Sequence, residues 1–275
     1  GGIINRGERL AAAQAAFSHA LSVDWTPRRL SAYMRLHSEA YWLNFPTDVQ
    51  VHHAALIEKS KTQPLIIDAR PDPERACTEI TVICQDDAGL FARLSGACAR
   101  AGMDILDARI STTTNGLAVD VLHVQEAGRF APPELARTQR LRKAMRAALE
   151  GSVNLNHPPH EEMSEKTRRT LKTFDLETQI NFDNQASEHA SVLEISTLDR
   201  PGLLFDLART LYQCNVNITA ARVATFGERA SDVFYVQDLF GEKLQSTARM
   251  SRIRQTLTKV VNAPMDARAE ASKVA

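Results

Sequence analysis

The 275-residue sequence predicts an α+β protein, a short helical segment followed by two copies of a β-α-β-β-α-β unit. Three observations carry that expectation. One stretch of sequence occurs twice, Thr78 to Phe91 returning as Ser191 to Leu204, and matches continue in step beyond it. In each copy strand-like runs give way to helical periodicity at matching places. The segment 1–75 lies outside the repeat and shows helical periodicity alone. Solenoid and propeller repeats run at about 20–50 residues, so this much longer period points to two duplicated domains. The expected divisions are 1–75, 76–185 and 186–275.

In the N-terminal segment Leu10, Ala13, Phe17 and Leu21 make one amphipathic helix that stops before Asp24-Trp25-Thr26-Pro27. A second helix starts near Pro27, carries Leu30, Met34 and the cluster Tyr41-Trp42-Leu43, and ends at Pro46. A third runs from about Asp48 to Lys59, and Pro64, Pro71 and Pro73 mark a linker into the first repeat. These helices read as the end of a preceding domain, and the start at Gly1-Gly2-Ile3 reads as a piece of something longer.

Each repeat opens with a β-rich run, 78–85 and 191–198, closed by Asp and Gly. Helices follow, with Phe91, Leu94, Cys98 and Ala101 on one face in the first copy and Leu204, Leu207, Ala208 and Leu211 in the second. Gly102 and Asn215 stand where a left-handed C-cap stops them. Two strands come next, 103–114 and 117–125 across Asn115-Gly116, then 216–226 and 230–238 across Gly227-Glu228. A longer helix begins at Pro132-Pro133 with Leu141, Met145 and Ala148 on one side, and its counterpart carries Met250, Ile253, Leu257 and Val260. A strand near Thr178–Asn184 closes the first copy, which gives the ferredoxin-like split order. The second copy shows no final strand in Ala263–Ala275, so 178–184 can instead serve a neighbouring sheet.

Charge and composition narrow the function. The 33 basic and 33 acidic residues cancel, and each of the three segments is near neutral, which argues against a dedicated nucleic-acid binder. No apolar run approaches the roughly 18 residues that cross a bilayer. Cys77, Cys84, Cys98 and Cys214 lack paired spacing for zinc or disulfides and read as buried thiols in a reducing cytoplasm. No phosphate loop, nucleophile elbow or HExxH motif provides a seat for catalysis.

The turn after the first strand of each repeat is the place for ligand chemistry. Asp86-Asp87-Ala88-Gly89-Leu90 and Asp199-Arg200-Pro201-Gly202-Leu203 set a carboxylate beside a glycine that opens a helix. Backbone N–H groups there can hold a carboxylate while Asp86 or Asp199 receives an ammonium group, a clamp for a free amino acid. Asp104 or Asn217, opening the next strand, can complete it. The same residues also suit a plain helix N-cap, with Asp as the cap and Pro201 early in the helix. Spacing leaves both readings open. His52-His53, with Asp48, point about 100° apart on a helix and read as helix surface rather than a shared metal site. His157, His160, Glu161 and Glu162 lie in a polar connector, and Arg137, Arg140, Arg142, Lys143 and Arg146 make a solvated basic side.

Asp199-Arg200-Pro201-Gly202-Leu203-Leu204, with Asn217-Ile218 beyond, closely resembles the ACT domain, a small amino-acid-binding module, and Asp86 to Phe91 with Asp104-Ile105 is a looser copy. Together with Leu30-Ser31-Ala32-Tyr33-Met34-Arg35 and Tyr41-Trp42-Leu43, the tandem is similar to the C-terminal third of the bifunctional uridylyltransferase/uridylyl-removing enzymes. In that family a nucleotidyltransferase domain modifies the PII nitrogen-signalling protein, a metal-dependent hydrolase domain reverses it, and an ACT pair senses glutamine. The resemblance implies a glutamine-sensing regulatory region in the cytoplasm. It implies magnesium only for catalytic domains outside this chain, and no cofactor within it. The ligand-binding residues carried over are Asp86, Gly89, Leu90, Asp104 and Ile105, and Asp199, Gly202, Leu203, Asn217 and Ile218. Asp87-Ala88 replaces the Arg-Pro of the motif, so the first site is expected to bind more weakly or to serve an interface. Pairing of ACT sheets is expected between the repeats or between two chains. The rival readings are a ligand-free docking or dimerisation module and the regulatory end of an alarmone synthetase or an amino-acid biosynthetic enzyme.

Overall fold

The computed structural model describes residues 5–126, 133–151, 177–200, 202–226 and 229–263. Four helices open the chain: α1 (Arg6–Leu21), α2 (Pro27–Met34), α3 (Glu39–Asn44) and α4 (Thr47–Ser60). Each start has a local cause. Asn5 caps α1 and Glu8 completes a capping box, while Thr26 caps α2 with Pro27 at its first position. Ser38 caps a separate α3, so Tyr41-Trp42-Leu43 stands on its own helix rather than on the one starting at Pro27. Pro46 precedes α4, and the buried Gln50 Nε2 donates to the carbonyls of Trp42 and Phe45 at 3.1 and 2.7 Å.

Contacts divide the chain into two units. The first runs through Asp68 and adds Thr81–Asp86 and Ile110–Asp120. Its core is aromatic. Phe17 stacks on Tyr33 at 5.2 Å and meets Trp42 edge-on at 5.1 Å, and His37 stacks on Tyr41 at 3.8 Å. Burial pushes His37 down to about 4, so this imidazole packs as a neutral ring. The Thr114 N–H donates to Leu36 O at 2.9 Å, which ties the hairpin turn at Gly116 to the end of α2. His52 pairs with Asp68 at 2.8 Å while the buried His53 faces Tyr41. Adjacent histidines thus serve different sides of α4, and no group of three or more metal-ligating side chains occurs among the described residues.

Eight strands run in the order β1-β2-β4-β3-β7-β8-β6-β5. They are β1 (Leu65–Asp72), β2 (Cys77–Gln85), β3 (Met103–Arg109), β4 (Leu117–Glu126), β5 (Gln179–Asp183), β6 (Ser191–Leu198), β7 (Asn217–Phe226) and β8 (Arg229–Gln237). Two expectations need correction. The Pro64–Pro73 stretch is not a linker, since most of it is β1 at one end of the order, where Pro71 is tolerated because an edge strand leaves some N–H groups unpaired. The 178–184 strand does not close the first copy, because β5 pairs antiparallel with β6 of the second, Ile180 opposite Ile195. Each copy therefore takes its outer strand from the residues before it, in the order β-β-α-β-β-α.

The second unit holds Ala69–Ile80, Asp87–Arg109 and the chain from Val121 onward. Its helices are α5 (Leu90–Arg100), α6 (Leu135–Leu149), α7 (Leu203–Gln213) and α8 (Thr247–Asn262). α6 begins after an N-cap at Glu134 rather than at Pro132-Pro133, and Pro132 lies outside the described residues. So do Gly227-Glu228, the stretch with His157, His160, Glu161 and Glu162, and nearly all of Ala263–Ala275. The periodic positions Leu94, Cys98, Leu141, Met145, Leu207, Leu211, Ile253 and Leu257 are buried as their spacing requires. Gly102 and Asn215 are left-handed at φ 69° and 57°, ending α5 and α7.

Strands β3 and β7 join the repeats antiparallel, with Asp107 opposite Arg222, Ala108 opposite Ala221 and Arg109 opposite Ala220. Ala108 and Ala221 hold the same place in the two copies, so each faces its own counterpart and a local two-fold axis passes between them. α5 packs on α7 closely: a Cβ on Gly96 would lie 2.8 Å from the Phe205 ring. On the strands, Glu79 is paired with Arg70 and with the buried His123, whose other ring nitrogen is 3.7 Å from Asp107.

Candidate functional site

The two turns are built alike. Gly89 and Gly202 are the N-caps of α5 and α7, left-handed at φ 78° and 72°, and no side chain caps either helix. A glycine, rather than Asp86 or Asp199, thus occupies the N-cap position of each helix. The first N–H of each helix already donates to a loop carbonyl, Leu90 to Asp87 O and Leu203 to Arg200 O, both at 3.1 Å, and the N–H groups that follow are the ones suited to an anion. Glycine is required here because a β-carbon strains a left-handed residue.

An ion pair braces each turn to its helix. In the second repeat Arg200 donates to Asp206 at 2.6 Å, with both side chains buried. In the first, Arg93 donates to Asp87 at 2.7 Å, with Asp87 largely exposed. Asp87 and Arg93 hold the places of Arg200 and Asp206 in the repeat, so this is one bridge with its charges exchanged. The Asp87 that looks like a departure from the motif keeps the brace.

Around the turns the repeats differ. Asp86 is exposed, accepts from Thr112 Oγ1 at 2.8 Å, and its N–H donates to Gly116 O at 2.9 Å. Gly89 lies under Tyr212, whose ring would be 3.3 Å from a Cβ there, whereas the place equivalent to Tyr212 in the first repeat is Ala99. Asp104 opens β3 at the surface; partial desolvation, and then the Asp199 carboxylate, raise it above the usual carboxylate range. Asp104 therefore belongs electrically with Asp199 of the other repeat, a partnership that the β3–β7 pairing creates and spacing cannot show. Asn217 is exposed at the start of β7, Ile218 is half-buried, and Leu90, Ile105 and Leu203 are core residues. Those three can hold a ligand through their backbone and shape the wall, not through polar side chains.

Two acidic residues that the sequence does not single out belong with these turns. Asp120 on β4 and Asp232 on β8 are 1% and 2% exposed. Burial first, then the nearby loop carboxylate, raises both: Asp120 beside Asp86, opposed by the backbone of Ser111, and Asp232 to about 7 beside Asp199, opposed by the backbone of Ala224. The repeat holds a signal for them, since Asp120-Val121 matches Asp232-Val233. Sequence alternation gives no sign that these aspartates point inward.

The family described as ACR9-like, ACT-like domain matches residues 179–269. That span starts at β5, in agreement with the sheet order. The bifunctional uridylyltransferase/uridylyl-removing enzyme of Bradyrhizobium sp. (strain ORS 278) is 38% identical over 257 residues, which is 92% of this chain and 27% of that protein. The enzyme of the same name from Rhodopseudomonas palustris is 36% identical over 260 residues, 94% of this chain and 28% of that protein. That of Rhodospirillum rubrum is 36% identical over 266 residues, 94% and 27%. A solved structure of an unknown protein from Galdieria sulphuraria covers 66% of this chain and 89% of its own, at 14% identity and a TM-score of 0.21, too weak a likeness to bear on the fold. Residues 179–269 thus match an ACT-like domain, and the chain is similar, along nearly all of its length, to a stretch about a quarter as long as the bifunctional uridylyltransferase/uridylyl-removing enzymes.

Proposed function

We propose that this chain is the amino-acid-sensing C-terminal region of a bifunctional uridylyltransferase/uridylyl-removing enzyme of the PII protein, with glutamine as its effector, and that it works in the cytoplasm. The observation that carries this reading is the second turn. There a helix N-terminus, a left-handed Gly202 and the loop carboxylate Asp199 stand together, with Asp104 supplied from the other repeat. An amino acid would place its carboxylate on the N–H groups of α7 and its ammonium group near Asp199 and Asp104. No helix among the described residues is long and apolar enough to cross a membrane.

Effector binding at the junction of the repeats would favour one arrangement of β3 against β7, and the helical N-terminal stretch would carry that preference to catalytic domains. Coupling of about 1–3 kcal/mol would change activity several-fold to a hundredfold. Magnesium chemistry would belong to those domains. The first turn favours a second role: with Tyr212 over Gly89, it serves the contact between repeats rather than a ligand.

Calorimetric titration of the 275-residue chain with glutamine, glutamate and a panel of other amino acids tests this. Saturable heat from glutamine, lost in Asp199→Asn, is expected. Binding of another amino acid in its place would move the chain to a different ACT-regulated enzyme. Silence toward all of them, with PII retained on the chain, would favour the ligand-free docking module.

A further inference from the structure

At the second turn the Asp199 carboxylate acts on two other carboxyl groups, Asp104 and Asp232. Asp199 lies on the loop, and Asp104 comes from the neighbouring repeat. Asp232 lies beneath, on a central strand, opposite Ile195 of β6 and Val223 of β7. Its side chain is 2% exposed, and its Oδ1 has no hydrogen-bond partner among the described residues. The groups facing it are the backbone of Ala224 from β7 and Asp199 from the loop. Arg200 and Asp206, on the loop and first turn of α7, are engaged with each other.

A buried, incompletely bonded acid is costly, and one such group can be an accident of packing. Here it occurs twice. Asp120 stands at the matching place in β4, 1% exposed, with neither carboxyl oxygen hydrogen-bonded among the described residues, and it faces Asp86 of its own loop. Each loop aspartate therefore has a second, hidden carboxyl behind it. Hydrophobic residues would pack these strand positions at lower cost.

We propose that Asp232 is a positioning residue of the second effector site, setting Asp199 to receive a ligand that carries a primary ammonium group, while Asp120 keeps the matching place in a first turn given over to the contact between repeats. The inference rests on the amino-acid-binding reading above. It adds a residue to the site and a rule for the ligand's charge. Before the ligand arrives, Asp199 and Asp232 repel, and the pair keeps a proton. An ammonium group beside Asp199 offsets that repulsion, so Asp232 ionises and a proton leaves the protein as the ligand binds. A neutral or anionic analogue gains nothing from the arrangement.

Proton release gives a readout that a purely structural aspartate would not move. Glutamine is titrated into the full chain by calorimetry at pH 7 in two buffers of different ionisation enthalpy, and again at pH 6 and pH 8, where its ammonium group stays charged. About half a proton should be released at pH 7, and affinity should rise about tenfold from pH 6 to pH 8. Asp232→Asn should abolish both effects while binding persists. The carboxyl ¹³C resonance of Asp232 in the unaltered chain, followed with and without glutamine, gives the same answer even if the variant fails to fold: its titration should move to lower pH on binding. Binding with no proton release, or with a release that Asp232→Asn leaves intact, overturns this proposal and spares the effector reading. Absence of binding by every amino acid overturns both.

Discussion

Arg200 and Asp206 are both buried, so deleting one leaves the other's charge in a poorly solvated place, whereas Asp87 beside Arg93 is already in water. Arg200→Ala should cost about 3 kcal/mol in urea unfolding, and Asp87→Ala less than about 1 kcal/mol. Because the first repeat writes the same bridge in reverse, the double exchange Arg200→Asp with Asp206→Arg should recover most of what either change alone loses. Non-additivity in that cycle measures the brace directly. Gly202→Ala is a different kind of test. It forces a side chain onto φ 72°, should destabilise by about 1 kcal/mol, and should weaken glutamine binding beyond that loss, since it re-aims the N–H groups of the turn.

At the scale of elements, the helices and hairpins were legible because their signals are local. Leu94 and Leu207 fall on apolar stripes, Gly102 and Asn215 stop the helices, and Gly116 turns the hairpin. The outer strands were not. β5 is short with a single buried position, and β1 contains a proline, so neither carries a strong period, although each pairs with the next strand along the chain. The site was half legible. The loop residues form a compact motif, but Asp104 joins Asp199 only through β3 and β7, and Asp232 is recognisable only once it is seen to be buried. The α5–α7 packing offers a test at this scale. Gly96→Ala presses into Phe205 and should cost about 1–3 kcal/mol, with Phe205→Leu in the same chain recovering part of it in a thermal or urea melt.

Over the whole molecule, two acids pull the pH dependence of stability in opposite directions. Burial alone would raise Glu79, but the nearby His123 ring and the hydrogen-bonded Arg70 guanidinium outweigh it and hold the carboxyl at about 2. Its stabilisation is complete above its ordinary value of 4.5 and is lost as pH falls from there towards 2. Glu79→Gln should therefore cost about 2 kcal/mol at pH 6 and much less at pH 3. Asp232, raised by burial and Asp199, has the opposite sign: stability falls as pH rises from 3.8 through about 7. Asp232→Asn should gain about 2 kcal/mol over the unaltered chain between pH 5 and pH 8, measured by urea unfolding. The axis between Ala108 and Ala221 has a consequence for descent. Two identical chains paired this way would be bound to mutate in step, each change arriving on both sides at once. With both partners on one polypeptide, each half drifts alone: a bridge can trade its charges, one turn can gain a tyrosine lid, and one partner of Asp199 can be an aspartate where its twin is an asparagine. Carrying both partners on one polypeptide turns an obligatory symmetry into a licence for division of labour.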